Sequence, residues 1–342
     1  MSKPRVYVTR PMHPEMSSII QAEMDTRVNE REGIPSKQLI AKESADIDAI
    51  IGALGDPIDQ QIMQESRKLK VVHVLTSSSR PDDYLESEIN LDVANKLGIY
   101  ITNSPVMAEP IADFTFGLML ASCRRLLEAD RFVRDGSWQK SVGASNIAAW
   151  SYALHVGSDV HDKTIGIIGL GRIGRLVARR ARGFNMRVLY YDTVRQFAVE
   201  DVLGIEYRPL DDLLRESDFV TLHTPRTTRA IGRRELELMK NSAFLINTSR
   251  GSNVDLAALQ EALESGRLGG AGLDVYESEA IGSDSPLTKL SNVVLAHHMA
   301  PFTVETCREL ATGAIENIKA ALAGKLPPNL VNQPTSTRET IA

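Results

Sequence analysis

At roughly one domain per 150 residues, a chain of 342 residues makes two domains, each long enough to bury its own core. Apolar residues at 43% and charged ones at 24% exclude disorder and fibrous repeats, and 39 Lys and Arg against 44 Asp and Glu leave a net charge of −5. That balance offers no basic field for nucleic acid and no polybasic anchor for a membrane. Cys123 and Cys307 cannot form a disulfide framework, and the opening Met-Ser-Lys-Pro-Arg carries no signal-peptide core, so a cytoplasmic location is expected.

The first third alternates short β-branched runs (Arg5–Val8, Ala49–Ile51, Val71–Leu75, Ile99–Thr102) with helical patterns such as Pro14–Glu23 and Ile89–Leu97. This is the pattern of βαβ units and a parallel sheet. From Ala112 to Arg134 the periodicity predicts one long helix, with Phe116, Leu120, Leu127 and Phe132 among its apolar residues. Arg124, Arg125, Glu128 and Asp130 exclude it as a membrane span. The stretch Gly136–Val160 shows no period, and Gly143, Ser145, Asn146 and Ser158 mark it as loop. Six strand-like runs follow: Thr164–Ile168, Arg187–Tyr191, Asp218–His223, Ala243–Asn247, Gly272–Tyr276 and Val293–His297. Helical patterns such as Leu256–Glu264 separate them, which makes a second doubly wound sheet. A last helix runs from Thr303 to about Ala323, with Gly324 as terminator, and the tail Gln333–Ala342 is polar and loose. The expected fold is α/β, with two doubly wound parallel-sheet domains.

Gly169-Leu170-Gly171-Arg172-Ile173-Gly174 fits G-x-G-x-x-G and stands where a strand should give way to an amphipathic helix. Gly169 permits a tight turn, Gly171 lets backbone approach a pyrophosphate, and Gly174 lets helix pack on strand. Asp192 follows the next strand, 18 residues after Gly174. A carboxylate there accepts bonds from ribose hydroxyls and repels a 2′-phosphate, which favours NAD over NADP, with Arg195 nearby acting against that preference.

Ligands bind beyond the carboxyl ends of strands in such sheets. Past the fourth of the six runs lies Thr248-Ser249-Arg250-Gly251; past the fifth lies Glu277-Ser278-Glu279, with Asp274 inside the run; at the end of the sixth stands His298. Reducing a 2-oxo acid needs a cation on the carboxylate, and Arg250 offers a bidentate fork. The alkoxide that forms needs a proton, for which His298 is the natural acid, and Glu279 beside it would favour the imidazolium.

With these residues the chain resembles the D-2-hydroxyacid dehydrogenase family, close to its glyoxylate and hydroxypyruvate reductase and phosphoglycerate dehydrogenase branches. The resemblance runs through Arg5-Val6-Tyr7-Val8-Thr9-Arg10-Pro11, Ile101-Thr102-Asn103-Ser104-Pro105, Gly169–Gly174, Leu245–Gly251, Val254-Asp255 and Gly272–Tyr276. It implies Arg250, Glu279 and His298 as the catalytic set. It also implies Asp274 and the Thr248 backbone at the nicotinamide carboxamide, Arg172 and Ile173 at the pyrophosphate, and Thr224 and Pro225 near the adenosine. It further implies an NAD-binding Rossmann domain (106–302) inserted in a flavodoxin-like substrate domain (1–105 and 303–342), and a homodimer whose interface includes the long helix.

Three departures stand out. His297-His298 occupies the place of the family's Pro-His, and register from Asp274 and Glu279 selects His298. The segment Pro225-Arg226-Thr227-Thr228-Arg229 is about two residues short. The family's glycine-rich substrate loop is replaced by Thr76-Ser77-Ser78-Ser79-Arg80. Ser78, Ser79 and Arg80 are therefore candidates to bind a second anionic group on a small-molecule substrate, against the blander reading of a solvated loop. Zinc at His297 and His298 is a poor reading, because neighbours on a strand face opposite ways and no second ligand pair has suitable spacing. A dehydrogenase of a phosphonate or other small anion remains an alternative, as does an NAD-sensing corepressor-like binding protein.

Overall fold

A computed structural model describes residues 3–78, 80–142, 154–225, 230–278 and 280–334. The chain divides into two compact units, Met1–Met107 with Phe302–Ala342, and Ala108–Pro301.

The first unit is built on five strands: β1 (Arg5–Val8), β2 (Asp25–Val28), β3 (Ala49–Ala53), β4 (Val71–Leu75) and β5 (Tyr100–Thr102). All pair in parallel in the order β2-β1-β3-β4-β5, the flavodoxin-like doubly wound order. Strands covered on both faces read as continuous apolar runs, and Val6, Ile50, Ile51, Val72, Val74 and Ile101 are accordingly buried. β2 escaped the sequence reading because Asp-Thr-Arg-Val, at a sheet edge, has no such run. The helix Val304–Leu322 packs on the helix Pro14–Glu23 and on β4. It ends at Ala323, and Gly324 follows in the left-handed region (φ 70°). Beyond it the chain returns to β5: Thr102 bridges Leu330, and the Ile101 N–H donates to Asn332 Oδ1 at 2.8 Å. Of the tail, residues 335–342 lie outside the described residues.

The second unit holds β6 (Thr164–Ile168), β7 (Arg187–Tyr191), β8 (Glu206–Tyr207), β9 (Phe219–Leu222), β10 (Phe244–Asn247), β11 (Gly270–Leu273) and β12 (Val293–Leu295). They form one parallel sheet in the order β12-β11-β10-β9-β6-β7-β8. Counted from its own first strand this is the Rossmann order with a seventh strand added. The added strand is β12, while β8, third in that order and at the opposite edge, is only two residues long, too short for any periodicity to reveal.

Two expectations are corrected here. The long helix is two helices, Ala108–Cys123 and Leu126–Arg134, because Arg125 adopts a left-handed backbone (φ 53°) and spends its guanidinium on Glu128. Side-chain periodicity carries across such a break, so the pattern concealed it. Within the stretch read as loop, Ser137–Val142 is helical. Gly143, Ser145 and Asn146 lie outside the described residues. No described helix is long and apolar enough to cross a membrane.

Candidate active site

The crevice of the second unit opens where the strand order reverses, between β6 and β9. β6 ends at Ile168, and Gly169 turns the chain with φ 95°, a conformation in which a Cβ would stand 2.7 Å from the carbonyl oxygen of His223 beyond β9. Gly174 lies so close to this turn that a Cβ would meet the Gly169 oxygen at 2.1 Å. At Gly171, by contrast, a Cβ would find open space. Gly171 caps the helix Arg172–Ala181, whose first turn has neither a side-chain cap nor an acid, so the positive end of its dipole favours an anion. Arg172 is exposed there and Ile173 half-buried.

Asp192, just past β7, accepts from the Leu170 N–H at 2.8 Å and the Thr193 N–H at 2.7 Å, which fixes the carboxylate beside the glycine turn. Arg195 is already committed. Its Nε and Nη2 each lie 2.8 Å from Glu200, its guanidinium carbon sits 4.4 Å above the centre of the Phe197 ring, and bonds from Arg195 and Tyr190 push the Glu200 carboxyl down to about 2. Open cradle, a helix start without side-chain cap or acid, and a fixed acid together fit a dinucleotide with an unphosphorylated adenosine ribose.

Next along the sheet edge come the ends of β9 and β10. Thr224 is half-buried and Pro225 exposed, while residues 226–229 lie outside the described residues. Thr248 is buried with its hydroxyl 3.1 Å from that of Thr115. Arg250 is half-buried in extended backbone, and its Nη1 donates to the Ser249 carbonyl at 2.9 Å. The turn it occupies rests directly on the chain leaving β11, since a Cβ at Gly251 would fall 1.8 Å from the Tyr276 carbonyl carbon.

Asp274 follows β11 rather than lying inside it, because that strand, Gly270–Leu273, ends three residues earlier than its apolar pattern predicts. The carboxylate is fully buried. One oxygen accepts from the Met299 N–H and the other from the Ala300 N–H, each at 2.9 Å, and its carbonyl accepts from the His298 N–H at 2.7 Å. Burial raises the Asp274 carboxyl above the ordinary range, and the two N–H bonds pull it back. His298 lies beyond the end of β12 rather than at it, in a left-handed backbone (φ 60°) that costs a non-glycine residue about 1 kcal/mol or more. Asp274 thus holds a strained turn that presents His298, while His297 is exposed. Glu279 lies outside the described residues. His223 is unsuited to acid work: burial pulls its ring down to about 3, and its Nε2 engages the Thr221 hydroxyl at 3.0 Å.

In the first unit, Ser78 and Arg80 of the substrate-loop candidates are hydrogen-bonded to each other just before a short helix, Pro81–Tyr84. The Ser78 hydroxyl donates to Asp83 and accepts from the Arg80 N–H at 3.2 Å. The Ser78 carbonyl accepts from Asn103 Nδ2 at 2.6 Å and from the Tyr84 hydroxyl at 2.9 Å. Arg80 is exposed, and Ser79 lies outside the described residues. No cluster of three metal-ligating side chains occurs among the described residues.

The sequence reading missed the buried amides around Arg250. Asn247 and Asn253 stand three residues before and after it, and both are almost wholly buried. Their symmetrical spacing was the available signal.

Comparison with known proteins places this geometry. Residues 116–300 match the profile of the D-isomer specific 2-hydroxyacid dehydrogenase NAD-binding domain. A glyoxylate reductase of Korarchaeum cryptofilum is 46% identical over 337 residues, 97% of this chain and 96% of that one. A crystal structure from Thermus thermophilus shares 35% identity at a TM-score of 0.83, covering 96% of this chain and 99% of that one. An NADPH-dependent glyoxylate/hydroxypyruvate reductase from Sinorhizobium meliloti, in complex with citrate, aligns over 98% of this chain and 100% of that one, with 27% identity and a TM-score of 0.77. With a glycine cradle and a carboxyl edge of this kind, and relatives matched over nearly their full length, the chain belongs to the D-isomer specific 2-hydroxyacid dehydrogenases, NAD-dependent oxidoreductases that interconvert 2-oxo acids and 2-hydroxy acids.

Proposed function

We propose that Arg250 and His298 carry out the reaction at the carboxyl edge of the second unit. Arg250 holds the substrate carboxylate. His298 delivers a proton to the carbonyl oxygen as it gains charge, and takes the proton back in the oxidation direction. The dinucleotide, when bound, supplies or receives the two electrons. Gly169, Gly171, Arg172, Ile173 and Gly174 would hold its pyrophosphate, Asp192 its adenosine ribose, Thr224 and Pro225 the adenosine side, and Thr248 with Asp274 the nicotinamide. The observation that carries this reading is the Asp274 clamp, which keeps His298 in a backbone conformation no ordinary strand end requires. Glu279 is proposed to support the imidazolium.

NADH is the proposed coenzyme in preference to NADPH, supported by the fixed Asp192 and by the pairing of Arg195 with Glu200. Similarity to glyoxylate reductases makes glyoxylate and hydroxypyruvate the first substrates to assay. The loop of Ser78, Ser79 and Arg80 is proposed to favour a substrate with a second anion, because Arg80 keeps an exposed cation on a turn braced by Asp83, Tyr84 and Asn103. A homodimer is supported by the helix Leu126–Arg134, which has no buried residue and exposes Leu126, Leu127 and Val133 close to the exposed Trp138. Two buried free cysteines suit a reducing cytoplasm.

The test is NADH oxidation with glyoxylate, hydroxypyruvate and doubly anionic 2-oxo acids. His298→Ala should cut turnover about 10²–10⁴-fold with NADH affinity unchanged. A loss confined to His297→Ala would move the role to that residue, and turnover of no oxo acid would leave a binding protein. Arg80→Ala should lower kcat/KM about ten- to a hundred-fold for the doubly anionic acid alone. Equal small losses for both acids would remove Arg80 from substrate selection.

A further inference from the structure

The ends of β9 and β10 are neighbours in the sheet, yet the functions proposed for them differ: Thr224 and Pro225 serve the cofactor, Arg250 the substrate. One side chain joins them. Asn253 is fully buried, and its Nδ2 lies 3.0 Å from the Thr224 carbonyl, 3.0 Å from the Thr224 hydroxyl and 3.1 Å from the Ser249 hydroxyl. The Ser249 hydroxyl in turn donates to Asn247 Oδ1 at 2.8 Å, and Asn247 Nδ2 donates to the Arg250 carbonyl at 3.0 Å. The backbone of Asn253 extends the brace. Its carbonyl accepts from the N–H groups of Ala230 and Ile231 at 2.9 and 3.0 Å, and its own N–H donates to the Arg250 carbonyl at 3.2 Å. Asn253 therefore fixes the chain on both sides of residues 226–229 and, through Ser249 and Asn247, the backbone of Arg250.

A short turn needs no buried carboxamide to form, and an apolar side chain would fill the same space without desolvating an amide. Here the amide is buried at that cost, and its Oδ1 finds no hydrogen-bond partner among the described residues. Its hydrogens are directed at the two loops whose relative placement matters most to the reaction. From this we infer that Asn253 is a positioning residue that couples the cofactor side of the edge to the substrate anchor. Loss of its donor lets Thr224 and the Arg250 turn shift together, weakening dinucleotide and oxo acid at once while the proton donor is untouched. The inference rests on the roles proposed above for Thr224 and Arg250.

The experiment titrates NADH onto the full-length protein by fluorescence, without substrate, and separately measures KM, kcat and the pH profile with glyoxylate. Asn253→Leu, which keeps the volume and removes the donor, should raise both the NADH Kd and the glyoxylate KM by about tenfold, with the pH profile unmoved. Ser249→Ala, which breaks the relay and leaves the turn its other bonds, should raise the KM more than the Kd, and should add little to Asn253→Leu in the double variant. Arg250→Ala is run beside them and should raise KM with the NADH Kd unchanged. If Arg250→Ala leaves KM unchanged, the anchor itself is misassigned. If Arg250→Ala behaves as expected and Asn253→Leu lowers Tm but leaves Kd and KM within about twofold, the coupling is overturned and Asn253 is merely structural. Should Asn253→Leu not fold, full additivity of Ser249→Ala with Thr224→Val in KM and Kd overturns the coupling equally.

Discussion

The two units use the same doubly wound plan, and each has a point where its strand order reverses, between β6 and β9 in one and between β1 and β3 in the other. Chemically the two points are opposites. In the second unit the turn after β6 is glycine, the next helix start is uncapped, and space remains at Gly171. In the first unit the corresponding place is filled from within. Asp56 is fully buried and accepts from the Thr9 hydroxyl at 2.5 Å, Arg10 Nε at 2.7 Å and the Ala53 N–H at 2.8 Å. A Cβ at Gly52 would already stand 3.0 Å from Ile58. Topology offers a crevice at every reversal, and the side chains decide whether it takes a ligand or is closed by an acid and its donors. One reversal is left open; the other is plugged.

Substitutions can break this contrast. The largest effect is expected at the open point. Gly169→Ala places a Cβ 2.7 Å from the His223 oxygen in a backbone that disfavours side chains, and should weaken NADH binding about 10²–10³-fold by titration. Unimpaired binding would mean the dinucleotide does not use this turn. At the closed point, Asp56→Ala should cost about 2–3 kcal/mol of stability, a figure that allows for the partial exposure of Arg10. The loss should appear in thermal melts, with the NADH Kd unchanged. A weaker Kd without loss of stability would make the plug a ligand site instead.

The smallest effect is a pH dependence near the closed point. His73, fully buried in β4, bonds the hydroxyls of Thr102 at 2.9 Å and Ser104 at 2.8 Å, and burial pulls its ring down to about 3. The folded ring is neutral where the unfolded one takes up a proton, so this stability is present above the usual imidazole value and is lost as pH falls towards 3. Between pH 7 and pH 5 the loss should reach about 2 kcal/mol. His73→Gln should flatten the acid limb of the stability profile by that amount; an unchanged limb would show that other groups govern it.

The fold was largely legible in the sequence where burial imposes a pattern. Parallel strands covered on both faces must be apolar throughout, so Thr164–Ile168 and Arg187–Tyr191 were read to the residue. Edge strands carry no such constraint, and Asp25–Val28 and Glu206–Tyr207 went unread. The break at Arg125 left no mark because it depends on one backbone dihedral and a local ion pair. In the site, the glycine loop and Asp192 were legible because their spacing follows from covalent geometry. The Asp274 clamp and the Asn253 brace were not, since each joins loops whose neighbourhood is created only by strand order. Whether Ser78 spends its hydroxyl on Asp83 or on a ligand is likewise a matter of folding, which composition cannot express.

The return of the C-terminal segment to β5 also sets a timetable for synthesis. The second unit is one continuous stretch, Ala108–Pro301, and all its strands are synthesised before the final helix. The first unit, although begun earlier, lacks the helix Val304–Leu322 over β4 and the Asn332 side chain beside Ile101 until the whole second unit has been made. Its N-terminal portion must therefore wait with an uncovered sheet face while the later-encoded unit closes. The nascent chain is thus most exposed to chaperones, and to mispairing, in the part that was made first.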